Sequence, residues 1–331
     1  MNFPLFHDPF QGAVAVDAQP VRDPQIRRQS HNSSRAERPA VHGSKPIRSA
    51  RQREVAKVAE DLRALMASTA AKQLRLALAG IRRGYISSMG IHIGTSGWSY
   101  DHWENVLYPP GLPTAKRLAH YVARFNTVEL NASFYRWPRD TSFASWRNRL
   151  PPGFAMSVKA PRGLTHAKKL YSPEVWVERI VRCWHELGDK RAVLLVQLPP
   201  GFARDDARLD YFLAALPHWI RVAVEFRHDS WDHPDVYALL ERHEAAYCIM
   251  SGANLPCILR ATAPFVYLRL HGPDHQHLYG GSYSDDDLRW WADRIREWGD
   301  AGKDVYAYFN NDGGGNAVRN AETLRWLLEA G

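Results

Sequence analysis

The chain has 331 residues, 45% of them hydrophobic and 24% charged, the composition of a globular protein with one large domain or two small ones. Its net charge of +8 arises wholly in residues 1–88, where 15 Lys and Arg face 7 Asp and Glu, so residues 89–331 are neutral overall. A neutral body lacks the cationic surplus that nucleic-acid binding needs, and no apolar run approaches the ~18 residues that cross a bilayer.

Residues 1–53 are polar, broken by Asp, Arg and Pro, and have no apolar core of the kind a signal peptide carries. A largely disordered basic extension over 1–88 and a cytoplasmic protein are therefore expected. Within it, Val55, Val58, Leu62, Leu65 and Met66 recur at helical spacing, which predicts one helix near 54–83. Met89 stands directly before the first clear strand. Either the natural start lies there, or residues 1–88 form an arm that touches nucleic acid or a membrane surface.

From residue 90 short apolar strands alternate with amphipathic helical stretches. Strands are expected at 91–95, 127–132, 154–159, 192–198, 221–226, 246–250, 265–270 and 304–309. Helices are expected near 114–125, 141–149, 173–187, 206–216, 234–244, 285–301 and 316–329, while "SGANLPCILRATAP" between the sixth and seventh strands reads as loop. Such alternation implies parallel strands with right-handed crossovers. Eight units in residues 89–331 match a (β/α)8 TIM barrel of ~250 residues. The runner-up, a doubly wound sheet, lacks a G-x-G-x-x-G at its first strand–helix turn.

In a barrel the C-terminal strand ends share one mouth, and here they carry polar groups. Strand one runs into Ser96, Trp98 and Tyr100 through Gly94 and Gly97, glycines that serve either close approach to a ligand or a turn with no room for a Cβ. Strand two places Glu129, Asn131 and Ser133 on one face, and Tyr135 follows. Lys159, Gln197, Glu225 with Arg227 and His228, Arg269 with His271, and Asn310 with Asn311 end the others. Ionisable groups at apolar strand ends are costly unless paired or used, so these form either a ligand site or a polar plug.

These same stretches resemble the YecE-like family, a domain of unknown function with a TIM-barrel fold. The resemblance rests on "GTSGWSYDHWENVLYP", "FNTVELNASFYRWP", "SFASWRNRLPPGFAMSVKAP" with "LTH" after it, "LLVQLPP", "VEFRHDSW", "LRLHG" and "YFNNDGGGNAVRNAETL", in order over residues 90–331. It implies the barrel and names no reaction. Residues 1–88 have no counterpart in that pattern.

The chemistry open to the rim is acid–base catalysis on a small polar or anionic substrate. Glu129 and Glu225 would transfer protons, and Lys159, Arg269 and His271 would stabilise negative charge. Ser96, Trp98, Tyr100, Asn131, Tyr135, Gln197, Arg227, His228 and Asn310 would bind the substrate. Alternatively each Glu only holds Lys159, Arg227 or Arg269. An imine at Lys159 is disfavoured here because nearby carboxylates favour the charged amine. Glu129, Glu225, His228 and His271 make a mixed metal-ligand set without any local ligand spacing, so neither a metal nor another cofactor is assigned.

Trp98, Tyr100, Trp103, Tyr135, Trp231, Tyr279 and Tyr283 follow strand ends, where they either pack or stack on a sugar or base. His275 and His277 lie in a Gly/Asp-rich loop and are expected in solvent. "GGGNAVRN" combines glycines with a helix start but lacks the Lys and Ser/Thr of a P-loop. Cys183, Cys248 and Cys257, odd in number and unpaired in spacing, are expected to be reduced and buried. A non-catalytic module for a nucleotide-like or sugar-like ligand is the alternative function, and the oligomeric state is open.

Overall fold

A computed structural model describes residues 90–330 apart from His275. The basic extension, its expected helix near 54–83 and His275 lie outside the described residues. Eight strands are present in that segment: β1 (Ile91–Thr95), β2 (Thr127–Leu130), β3 (Ala155–Lys159), β4 (Arg191–Gln197), β5 (Arg221–Glu225), β6 (Ala246–Ser251), β7 (Phe265–Leu270) and β8 (Asp304–Phe309). They pair in parallel in the order β1-β8-β7-β6-β5-β4-β3-β2, an α/β TIM-like barrel.

Helices α1 (Thr114–Val122), α2 (Ala132–Tyr135), α3 (Asp140–Arg149), α4 (Glu174–Leu187), α5 (Asp206–Ala215), α6 (Pro234–Arg242), α7 (Asp285–Asp300) and α8 (Asn316–Ala330) follow the strands. The expected strands agree to within about two residues. The main departure is β2, which stops at Leu130: Asn131 and Ser133 belong to the start of α2, where Ser133 Oγ donates to the Leu130 and Lys159 carbonyls at 2.8 and 2.7 Å. The sixth unit has no helix. Thr262 pins its loop instead, accepting from the Tyr247 N–H and donating to the Ala245 C=O, both at 2.7 Å.

Alternation along the strands sorts the core into two bodies. Outward residues such as Val128, Val158, Leu194 and Val224 join the helix stripes in the larger one. Inward residues, including Val193, Leu195, Ala223, Cys248, Tyr267, Tyr306 and Tyr308, fill the barrel. The interior is thus packed, as barrels of eight strands are, with the Thr127 and Ser157 hydroxyls bonded to that of Tyr308.

The seam between β1 and β2 is closed by a side chain. The Tyr121 hydroxyl on α1 accepts from the Thr95 N–H and donates to the Thr127 C=O, each at 3.0 Å. Beyond it Gly97 N–H reaches the Glu129 C=O at 2.7 Å. A Cβ on Gly94 would meet the Thr127 carbonyl oxygen at 2.4 Å, so Gly94 serves the approach of two strands. Gly97 has φ +83° and its missing Cβ is replaced by the Tyr100 hydroxyl, which would lie 2.6 Å away. Of the two uses expected of these glycines, each serves the chain itself.

Candidate functional site at the barrel mouth

Inward alternation on β2, β5 and β7 brings Glu129, Glu225, Tyr267 and Arg269 into one cluster, with His271 just past the end of β7. Glu129 and Glu225 are 0% exposed and Arg269 1%. Arg269 Nε and Nη2 donate to the two Glu129 oxygens at 3.0 and 2.9 Å, and Nη1 donates to Glu225 Oε2 at 2.7 Å. Ser96 Oγ and the Tyr267 hydroxyl supply Glu129 with two more donors, at 2.5 and 2.7 Å. Both oxygens of Glu129 are therefore satisfied.

Glu225 is served as fully. Arg227 Nε donates to Oε1 at 2.5 Å, and Gln197 Nε2 donates to the same oxygen. Burial alone would raise the Glu225 carboxyl, but Arg227 and Arg269 outweigh it and hold the group well below the usual carboxylate range. Two carboxylates and two guanidiniums cancel in a space where unpaired charge would be prohibitive.

His271 is turned into this network. Its Nε2 faces Arg227 Nη2 at 3.1 Å and Arg269 Nη1 at 3.2 Å, and its Nδ1 lies 3.1 Å from the Arg269 carbonyl. Guanidinium N–H groups only donate, so Nε2 must be the acceptor and Nδ1 carries the proton toward the carbonyl. Burial and the two arginines keep the ring neutral, well below its ordinary pKa. Both nitrogens are occupied. Among the described residues no three of His, Cys, Asp and Glu gather in a way that could hold a metal ion.

Lys159, the last residue of β3, differs from all of these. It is 8% exposed, and among the described residues its Nζ has no hydrogen-bonding partner. The ammonium nitrogen sits 4.4 Å from the centroid of the Phe134 ring on α2. Burial, with the charge of Arg269 behind it, pulls its pKa down to about 7. The carboxylates favour the charged amine as the sequence suggested, but burial and Arg269 outweigh them. Glu225 and Glu129 do pull upward, but their charges are already matched by Arg269 and Arg227.

Two neighbours of Lys159 escaped the sequence reading as site residues. Phe134 is one. The other is His166, in a single π-helical turn at Gly163–Ala167, a rare local geometry enriched at functional sites. Its ring meets Phe134 edge-on at 4.9 Å, and burial, then the charge of Lys159, lower it to about 4. The "LTH" stretch was the only sign of it. Asn131 stands one residue beyond the Leu130–Val158 pair, level with Lys159, and its Oδ1 is buried with no hydrogen-bond partner among the described residues. Tyr267 could have been read two places before Arg269 on the same strand face.

The remaining expected contacts spread around the rim. The Tyr100 hydroxyl donates to the Ser96 C=O at 2.7 Å, and Trp98 packs edge-on to Trp146 at 5.9 Å. Tyr135 is 65% exposed on α2, and Asn310 is half-buried, its N–H donating to the Leu270 C=O at 2.8 Å. His228 faces away to cap the turn Asp229–Trp231, where its Nδ1 accepts from the Ser230 N–H at 3.1 Å.

Other features that suggested a site have packing roles. Trp103, Trp231 and Tyr283 are buried in the core, with Trp231 stacked on Phe226 at 4.8 Å. His277 lies in solvent against Asp274, as expected of it. Cys183 and Cys248 are buried, but Cys257 is exposed in the sixth loop, contrary to expectation, because no helix covers that stretch. In "GGGNAVRN", Gly315 has φ +78° and a Cβ there would meet Val106 at 2.9 Å. Asn311 and Asn316 bond to the Gly281 carbonyl, and Asn320 receives Asn311 and the Tyr283 N–H, so the segment fastens the loop after β7.

Residues 92–331 match the family described as "Protein of unknown function DUF72". The UPF0759 protein YunF of Bacillus subtilis is 30% identical over 273 residues, covering 72% of this chain and 95% of YunF. The UPF0759 protein YecE of Escherichia coli is 28% identical over 142 residues, so the match spans 50% of that relative and 43% of this chain. A solved DUF72 family protein of Thermotoga maritima has a TM-score of 0.66 at 29% identity, covering 72% of this chain and 99% of its own. One from Enterococcus faecalis has a TM-score of 0.64 at 20% identity, covering 72% and 95%, a likeness that speaks for the fold alone.

Proposed function

The chain belongs to the DUF72 family, and from that premise we propose that it is an enzyme acting on a small polar or anionic substrate at the barrel mouth, with Lys159 as its reactive base. The observation that carries this reading is the isolation of one amine. Lys159 alone among the clustered charges has no hydrogen-bonded counter-ion among the described residues, and its pKa of about 7 leaves it unprotonated in part at neutral pH. A base works best with a pKa near the working pH.

In this reading Glu129 and Glu225 hold Arg269 and Arg227 in place. Their oxygens are filled by donors, which suits a scaffold better than proton transfer. Arg227 supports an anionic group on the substrate: its side chain is 10% exposed, and Nη1 is uncommitted among the described residues. Asn131 Oδ1 offers an acceptor for a substrate hydroxyl or amine.

Competitive labelling with trace acetic anhydride, read residue by residue by mass spectrometry, tests the proposal. Lys159 should be acetylated more heavily than exposed Lys116 at about pH 7, because its lowered pKa leaves part of the amine unprotonated. Labelling of Lys159 no greater than that of Lys116 overturns it.

A further inference from the structure

We propose that the Lys159 amine attacks the carbonyl carbon of an aldehyde or ketone that also carries an anionic group, and holds it as an imine. This rests on the reading of Lys159 as the reactive group and gives that group a substrate class.

Geometry favours covalent attack over simple proton relay. A relaying base is normally held by a hydrogen bond to its partner, as His271 is held here on both nitrogens. Lys159 Nζ instead lies over the face of the Phe134 ring at 4.4 Å, free of any acceptor among the described residues. A nucleophilic nitrogen needs this: a lone pair left bare and a dry wall beside it. The π-helical turn sets His166 edge-on to the same Phe134 ring, with 4.9 Å between the ring centroids.

The step balances with the groups present. The Lys159 nitrogen pair forms the C–N bond while the carbonyl π pair moves to oxygen. That oxygen takes a proton, and the nitrogen loses one, leaving a neutral carbinolamine. His166, kept neutral by burial and then by the charge of Lys159, takes the role of carrying a proton from nitrogen to oxygen in this proposal. A second proton, taken from solvent water, lets the C–O bond break as water, and the nitrogen pair closes the C=N bond. Carbonyl, amine and one proton thus become iminium and water. Asn131 Oδ1, level with Lys159 and without a partner among the described residues, accepts from the carbinolamine hydroxyl. Arg227 Nη1 takes the anionic group, which selects keto acids and phosphorylated or carboxylated aldehydes over neutral carbonyls.

The test uses the full chain, with glyoxylate, pyruvate and dihydroxyacetone as separate probes and sodium cyanoborohydride as trap. Hydride reduces an imine to a stable secondary amine, which peptide mass spectrometry places on a residue. The expected result is an adduct on Lys159 at least about ten-fold above that on exposed Lys116. It should be greater with glyoxylate and pyruvate than with neutral dihydroxyacetone, and absent from Lys159→Met.

Adducts no greater on Lys159 than on Lys116, with Lys159 still acetylated preferentially by acetic anhydride, overturn the imine and leave the base. Failure of both reactions overturns both. An adduct that forms equally with all three probes keeps the imine and overturns the anionic substrate.

Discussion

Arg269 and Glu129 meet as a two-pronged pair inside the barrel, Nε to Oε2 at 3.0 Å and Nη2 to Oε1 at 2.9 Å, while the third guanidinium nitrogen reaches Glu225. One planar cation thus holds two fully buried carboxylates, a geometry that a lysine ammonium has no fork to reproduce. Arg269→Met should cost about 3–5 kcal/mol of folding stability, because it strands buried charge. Arg269→Lys should recover only part of it. Urea unfolding monitored by tryptophan fluorescence measures both, and a loss under about 1 kcal/mol for the methionine variant contradicts the pairing.

Removing the Lys159 charge should stabilise the protein in a pH-dependent way. The folded amine has a pKa of about 7 against 10.5 for the free group, so between these values the unfolded chain binds more protons. Wild-type stability therefore gains a contribution as pH rises from about 7 toward 10.5 and loses it as pH falls, at up to about 1.4 kcal/mol per pH unit. Lys159→Met lacks that slope. The variant should be more stable than the wild type at neutral pH, with the gap closing as the solution is made alkaline. Parallel curves for the two proteins refute the burial of a displaced amine.

Acid should weaken the fold through its neutral histidines. The unfolded rings take up protons as pH falls through 6.5, while folded His271 stays neutral well below that and His166 down to about 4. Each contributes stability that is present above 6.5 and is lost as pH falls toward the folded value. In His271→Gln the unfolding free energy should fall less steeply below about pH 6.5 than in the wild type. Equal slopes in thermal melts across that range refute the assignment.

Tyr121→Phe removes one oxygen and leaves the buried Thr95 N–H and the Thr127 C=O without their bridge. The expected cost is about 1–3 kcal/mol. Hydrogen exchange locates it: the Thr95 amide should exchange faster, whereas amides on β4 and β5, far from the seam, should change only as global stability does.

Much of the site was visible from the strands, because a period of two decides which residues share a barrel interior. Alternation put Glu129, Lys159, Glu225 and Arg269 on one face of their strands; the two glutamates and Arg269 meet in space, and Lys159 feels their charges. It misled at Asn131 and Ser133, where the backbone leaves β2 for α2 two residues earlier than the apolar pattern suggests. It also could not separate Trp231, whose indole N–H finds the Phe202 carbonyl at 2.7 Å in the core, from an aromatic of the mouth. His166 stayed hidden, since a π-helical turn has no periodicity that a short loop sequence displays.

What the sequence alone determined was the barrel: eight apolar strands, the helices between most of them, and polar residues at the strand ends follow from local patterns of period 2 and 3.6. Only the tertiary structure decided the state of the charges. Lys159 and the two glutamates looked like mutual counter-ions in sequence, yet Arg269 and Arg227 claim the carboxylates and leave the lysine alone. The physical reason is that pairing and ionisation depend on separations of about 3 Å and on the water excluded around each group. Arg269 lies 44 residues from Glu225 and 140 from Glu129 in the chain, so those distances are set only once the barrel has closed.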